Sequence, residues 1–127
     1  LAEDVRRATG ATVVHGKLDS STLDEEVASA DLLVNSTSVG MNPKPEETPI
    51  DARLLRLDMV VFDIVYNPLE TRLLREARET GAKCVEGLMM LVHQGAKAFE
   101  LWTGKKAPIP TMTKALEAAL GVARMAS

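Results

Sequence analysis

Apolar positions along the chain switch repeatedly between a helical spacing and unbroken short runs. Leu1, Val5 and Ala8 recur at helical spacing with Glu3, Asp4, Arg6 and Arg7 on the other side, and Gly10 stands where a helix C-cap belongs. A helix is expected over residues 1–9, and with no N-cap residue before Leu1 the chain is expected to begin inside it. Ala11-Thr12-Val13-Val14 reads as a short strand ended by His15-Gly16. Ser21, with Asp24 three residues on, makes a capping-box-like start for a short helix that carries Leu23 and Val27 on one face. Asp31 to Asn35 is the next strand, followed by a loop rich in Ser, Pro and Glu through Pro49 and a short helical piece from Asp51 to Leu57.

Met59 to Val65 is a run of β-branched and apolar residues with no room for a solvent face, the pattern of a parallel strand buried on both sides. Tyr66 and Asn67-Pro68 stop it. Leu69, Leu73, Leu74 and Ala77 then predict a helix, capped by Asn67 or Thr71, that runs to Thr80 with Gly81 just beyond its end. Ala82 to Val85 reads as a fourth strand, and Glu86-Gly87 opens the longest helix, Leu88 to about Trp102, closed by Thr103-Gly104. Leu116, Ala119, Leu120 and Ala123 predict a last amphipathic helix from Thr113 to about Met125. Strands alternating with helices argue an α/β fold with a doubly wound parallel sheet.

Composition narrows the classes. With 46% hydrophobic and 26% charged residues and a net charge of −3 over 127 residues, the chain suits one soluble domain and shows no basic excess for nucleic acid. No run approaches the roughly 18 apolar residues of a membrane span, and the opening Leu-Ala-Glu-Asp is no secretory signal. Cys84 is the single cysteine, which excludes an internal disulfide and fits a reducing cytoplasm. His15 has no Cys, His or carboxylate partner at a ligand spacing, so no metal site is expected.

Candidate chemistry gathers where strands end, because ligands of open α/β sheets bind outside the carboxyl ends of the strands. Tyr66 is an aromatic with a polar tip at such a point; it reads equally as a ligand contact or as a residue closing a strand-to-helix turn. Asn35-Ser36-Thr37-Ser38-Val39-Gly40 is small and polar enough for backbone N–H groups to approach a ligand, or to form a turn of Asx and Ser/Thr hydrogen bonds. On the longest helix Gly87, Met90 and Gln94 fall within roughly 60° of one another at about 100° per residue, so a helix cap, a core methionine and an exposed amide share one face that also suits a polar ligand. His93 points elsewhere and reads as surface or packing.

Three ordered segments carry a resemblance. Asn35-Ser36-Thr37-Ser38-Val39-Gly40-Met41 is similar to the Asn-(Ala/Ser)-Thr-(Ser/Pro)-x-Gly-Met segment of the shikimate dehydrogenase family. Asp63-Ile64-Val65-Tyr66-Asn67-Pro68-Leu69-Glu70-Thr71 resembles its Asp-x-x-Tyr-x-Pro-x-x-Thr, and Gly87 to Ala96 with Phe99 and Trp102 resembles its Gly-x-x-Met-Leu-Val-x-Gln-(Gly/Ala)-Ala helix. Arg72 stands where that family often has Pro, and Met89 where it often has Gly. The resemblance covers nearly the whole chain but only the second half of the enzyme.

It implies a reversible, NADP-dependent reduction of 3-dehydroshikimate to shikimate, with quinate/shikimate dehydrogenase as the alternative and the choice of NAD or NADP open. By motif, Tyr66 and Gln94 would bind the shikimate ring, while Asn35, Ser36, Thr37, Ser38, the Ile64 backbone, Gly87 and Met90 would line the cofactor. The family's catalytic Lys and Asp pair and its Gly-rich loop have no counterpart in these residues, so no catalytic residue is assigned. The fold implied is a partial Rossmann-like sheet lacking its first two strands. Residues 1–127 would form the carboxyl-terminal portion of the NADP-binding domain, with helices from about residue 87 onward packing toward a substrate domain absent from this sequence. Such a chain is expected to need an amino-terminal half or to self-associate, for example as a homodimer, through its open sheet edge, and alone to be inactive or a non-catalytic binding module.

Overall fold

The computed structural model describes residues 1–17 and 21–121. Helix α1 (Ala2–Thr9) comes first, then α2 (Ser21–Ser29), strand β1 (Leu32–Asn35), a single 3₁₀ turn (Ala52–Leu54), β2 (Val60–Asp63), α3 (Arg72–Glu79), β3 (Lys83–Glu86), α4 (Gly87–Thr103) and α5 (Ile109–Ala119). The strands form one parallel sheet in the order β1-β2-β3. This is the parallel α/β arrangement the alternation predicts and the partial Rossmann-like sheet the resemblance implies, with three strands among the described residues where four are expected.

The expected strand Ala11–Val14 does not form. Val14 is 60% exposed, and the Val13 carbonyl accepts from Arg6 Nε at 2.7 Å rather than from a neighbouring strand. Three residues of strand propensity, Thr12, Val13 and Val14, make no ladder without a partner to take their N–H and C=O groups. Helix α1 buries none of its residues.

Register decides which residues face the core. Leu33, Val61 and Cys84 lie in one row, and Asn35, Asp63 and Glu86 in another on the same face. That face is covered by α2, the 3₁₀ turn and α3, through a core of Val27, Ile50, Leu55, Met59, Val61, Leu73, Leu74, Ala77 and Ala82. The opposite face carries Leu32, Val34, Val60, Phe62 and Val85, and Leu32 is 56% and Val34 44% exposed. The expectation that Met59–Val65 is buried on both sides is therefore corrected: Val61, Asp63 and Val65 are buried, while Val60, Phe62 and Ile64 are only half-buried. The alternation was hidden because apolar residues occupy both faces.

Element ends follow local chemistry. Thr71, not Asn67, caps α3, its hydroxyl accepting from Leu74 N–H at 3.3 Å. The piece expected over 51–57 shrinks to one turn capped by Asp51, which accepts from Arg53 N–H. Helix α5 starts at Ile109, four residues before the expected Thr113, because Pro110 is tolerated in a first turn where no intrahelical N–H bond is lost. It ends at Ala119; the expected end near Met125, and the Ala123 position, lie outside the described residues. The capping role expected of Ser21 likewise rests on a side chain outside them.

At the far end of α2 the Arg56 guanidinium donates to the carbonyls of Val27, Ala28 and Ala30 at 3.0, 2.5 and 2.9 Å. Val27 also accepts from Ala30 N–H at 3.2 Å, and the carbonyls at this helix end are completed by an arginine from the connection between β1 and β2.

Candidate functional site at the carboxyl ends of the strands

The apolar run of β2 contains one charged residue, Asp63, and the parallel register brings it beside Asn35. Asp63 is fully buried and Asn35 3% exposed. A carboxylate placed there must be satisfied by donors, since burial without partners is costly. Asn35 Nδ2 donates to Asp63 Oδ1 at 3.0 Å, Val65 N–H to the same oxygen at 3.0 Å, and the Thr71 hydroxyl to Oδ2 at 2.6 Å. No ion pair reaches Asp63 among the described residues. The end of β1, the segment after β2 and the cap of α3 supply the donors instead.

The loop after β1 is built on the same residue. Asn35 Oδ1 accepts from Thr37 N–H at 3.1 Å and from the Thr37 hydroxyl at 2.7 Å, which in turn accepts from Val39 N–H at 3.1 Å. Asn35 Nδ2 also donates to the Val39 carbonyl at 3.1 Å. The turn of Asx and Ser/Thr bonds considered from composition is thus present, and it leaves Ser36 and Ser38 exposed with Thr37 between them half-buried. Further out, Asn42 is bonded to Asn67 twice, by N–H to the carbonyl at 3.1 Å and by Nδ2 to Oδ1 at 2.8 Å, so the two loops are tied at their tips as well as at their roots.

Gly87 opens α4 directly from β3. A Cβ built on it would lie 2.4 Å from the Ile64 carbonyl oxygen and 2.9 Å from that of Asp63. The space beside its Cα is therefore taken by the chain's own backbone, and glycine is required there by strand-to-helix contact. The same direction orients the helix: the face carrying Met90 and Gln94 with Gly87 begins against Ile64. Leu88, Val92 and Ala96 pack inward, Gln94 and His93 are exposed and Met90 is half-buried. Tyr66 is 37% exposed on the segment between β2 and α3. Farther along α4, a Cβ on Gly95 would sit 3.3 Å from Met112 Cε, so the small residue lets α5 lie close.

Four of the residues singled out by sequence form one joined group. Asn35, Thr37, Ile64 and Gly87 are linked through Asp63 and the end of β2. Tyr66, just beyond β2, and Gln94, two turns into α4, are both exposed side chains. Asp63 and Thr71, read from sequence as a motif letter and a helix cap, are the residues on which the arrangement turns. The signal for them was a carboxylate inside an apolar strand, which has to be held by something.

Charge at the margin is arranged by Arg78, which bonds Glu70 and, at 2.7 Å, Glu86, so joining the segment after β2 to the end of β3. Burial acts to lower the Arg78 pKa, but the hydrogen bond and charge of Glu70 and the charge of Glu86 outweigh it and hold the guanidinium above its ordinary value. Burial pushes the Cys84 thiol up, opposed by the charge of Arg78 and aided by Glu86 and Glu70. His15 is exposed, and among the described residues no group of three His, Cys, Asp or Glu side chains is placed to hold a metal ion. No helix of the described residues is long and apolar enough to cross a membrane.

Residues 87–117 match the family model described as the Shikimate 5'-dehydrogenase C-terminal domain. The shikimate dehydrogenase (NADP(+)) of Methanosarcina acetivorans is 49% identical over 123 residues, covering 94% of this chain and 42% of that protein. Among solved structures, the shikimate 5-dehydrogenase of Listeria monocytogenes, in complex with shikimate and NAD, superposes with a TM-score of 0.82 at 38% identity, covering 91% of this chain and 40% of that one. The quinate dehydrogenase of Corynebacterium glutamicum, in complex with NAD, does so with a TM-score of 0.80 at 35% identity, covering 92% and 41%. The chain spans about two fifths of the length of the curated relatives it matches, from 36% to 43%.

Proposed function

We propose that this chain, which belongs to the shikimate dehydrogenase family as its carboxyl-terminal part, supplies the nicotinamide-side wall and part of the substrate pocket of an NADP-dependent dehydrogenase that interconverts 3-dehydroshikimate and shikimate. The observation that carries the reading is the joined group at the strand ends: the Asn35–Ser38 turn, the Ile64 carbonyl and Gly87 are fixed to one another through Asp63. These residues suit a nicotinamide ring, since a rigid backbone carbonyl can accept from its carboxamide and a turn of small polar residues admits a flat ring closely. When bound, the cofactor supplies hydride transfer.

What this chain contributes is placement. The Ser36 and Ser38 side chains are exposed on the proposed cofactor turn, and Met90 offers an apolar surface from α4. The Tyr66 hydroxyl and the Gln94 amide donate and accept in fixed directions, as recognition of a ring bearing hydroxyl and carboxylate groups requires. No residue here is assigned the proton transfer that accompanies reduction of a ketone; in the family the Lys and Asp pair does this, and these residues carry no match to it. The 127 residues alone are accordingly expected to turn over no 3-dehydroshikimate. Helices α4 and α5, with Leu101 74% and Trp102 85% exposed, are read as the part that packs toward a substrate domain. Reduction of quinate's 3-keto counterpart is the second reading, favoured by the likeness to the Corynebacterium enzyme. A half-buried free thiol at Cys84 suits a reducing cytoplasm.

Calorimetric titration of shikimate, quinate and NADP+ into the chain and its variants tests the site. Tyr66→Phe and Gln94→Ala are expected to weaken shikimate binding about tenfold each, the effect of one lost hydrogen bond of about 1–1.5 kcal/mol, and to leave NADP+ binding unchanged. Equal affinity for all three proteins would remove Tyr66 and Gln94 from the pocket, and a preference for quinate would favour the second reading.

A further inference from the structure

We infer that the Asp63 carboxylate is the positioning group of this site, holding the turn after β1 and the segment after β2 in one fixed relation so that the proposed cofactor and substrate walls are set together. The inference deepens the proposed function and rests on its reading of those two loops.

Three donors from three different segments converge on this one side chain: Asn35 at the end of β1, Val65 just after β2, and Thr71 at the start of α3. A carboxylate is the side chain that accepts on both oxygens without donating. That property has a directional consequence. Because Asp63 only accepts, the NH2 end of Asn35 must face it, which turns Asn35 Oδ1 toward Thr37 and makes it the acceptor on which the turn closes. Thr71 shows the same polarity: its hydroxyl spends its proton on Asp63 Oδ2 and uses its oxygen to accept from Leu74 N–H. Two relays, Val39 to Thr37 to Asn35 and Leu74 to Thr71, therefore run toward a single sink.

A helix cap alone does not account for this. Thr71 caps α3 with its own oxygen, while Asp63 Oδ1 is given wholly to Asn35 and Val65, outside that helix. Burying a carboxylate is unfavourable compared with an apolar residue of similar size, so its gain is specificity of arrangement rather than net stability. Its main chain is held as firmly. The Gly87 Cα packs on the Asp63 and Ile64 carbonyls, so α4 closes the back of the same residue whose side chain governs the two loops at the front. Asp63 is thereby a joint between β1, β2, α3 and α4, and it is itself fully buried.

The test uses the full chain labelled with ¹⁵N, with Thr71→Val, Thr71→Ser, Thr37→Val and, as a control that loses core packing without touching the relays, Leu73→Ala. Thr71→Val is expected to shift the Thr37 and Val39 amide resonances across the sheet and to lower hydrogen-exchange protection of Val65 N–H about tenfold. Thr71→Ser restores the parent pattern, and Leu73→Ala leaves the Thr37 and Val39 resonances in place. Thr37→Val is expected to shift Val65 and Leu74 reciprocally, and it serves if Thr71→Val does not fold. Shifts confined to the first turn of α3 in Thr71→Val, or to residues 36–40 in Thr37→Val, would reduce Asp63 to a local cap and overturn the inference. Titration with nicotinamide mononucleotide separates the two ideas: Thr71→Val should bind about tenfold more weakly than the parent with Thr71→Ser restored. A parent that binds none sinks the cofactor reading, while the resonance pattern still decides the coupling.

Discussion

Gly87 shows how much one missing side chain can carry. Its Cβ position is 2.4 Å from the Ile64 carbonyl oxygen, a distance that only movement of the strand end or of α4 relieves. Gly87→Ala is expected to lower stability by on the order of 1–3 kcal/mol, as forced overpacking does, and urea denaturation reads it directly; an unchanged midpoint would mean the contact yields freely. Cys84 makes a second prediction at this scale. Its thiol pKa is raised in the folded chain, chiefly by burial, so folding favours the neutral form. That contribution is fully present below the unfolded thiol value near 9.0 and is lost as pH rises through the folded value. Between pH 8 and 11 the urea midpoint of the parent should fall more steeply than that of Cys84→Ala, and parallel curves would contradict the assignment. The sequence placed Cys84 in a strand and Asp63 in a motif, but not their partners, because those come from α3 and β1 through pairing that no local pattern encodes.

Elements were legible where a local rule decides them. Gly104 adopts a left-handed conformation at φ 67 and ends α4 one residue after Thr103, as its position predicts. Thr71 caps α3 because a β-region hydroxyl can reach Leu74 N–H. The start of α5 was missed by four residues, since Pro110 in a first turn looks like a break when read without the helix that follows. The cap of α2 was invisible because Arg56 lies in a different segment. Removing it in Arg56→Ala should cost about 1.5–3 kcal/mol, the range for hydrogen bonds to a charged group, with Arg56→Lys recovering only part because an ammonium lacks the planar fork. Thermal denaturation of the three proteins checks the order, and equal midpoints would show that water replaces the guanidinium without loss.

At the scale of the molecule the sheet has one finished face and one open one. Val34 and Phe62 sit side by side on the open face, with Leu32 and Val60 in the row before them. Apolar surface of this kind gathers partners. The isolated chain is therefore expected to bind a hydrophobic dye and to scatter light increasingly with concentration, and Val34→Lys to reduce both while leaving the fold intact, since Val34 is 44% exposed. A monomer at every concentration with no dye signal would show that the face is tolerated in water. Ala11–Val14 belongs to the same picture: its residues have strand propensity, but no strand stands beside them to make the propensity count.

By itself the sequence determined the class of the fold, the order of the elements that do form, most helix ends and the family the chain belongs to, because periodicity, caps and three spaced motifs are local signals. It also marked Tyr66, Gln94, Gly87 and the Asn35–Ser38 turn as the residues to examine. Only the tertiary structure decided which strands exist, which sheet face is covered, and that the space beside Gly87 is filled by the Ile64 carbonyl. It alone made Asp63 the residue on which the two loops converge. The reason is that parallel pairing joins residues far apart in the chain, so the partner that satisfies a buried charge or fills a gap beside a glycine is set by register rather than by neighbours in sequence.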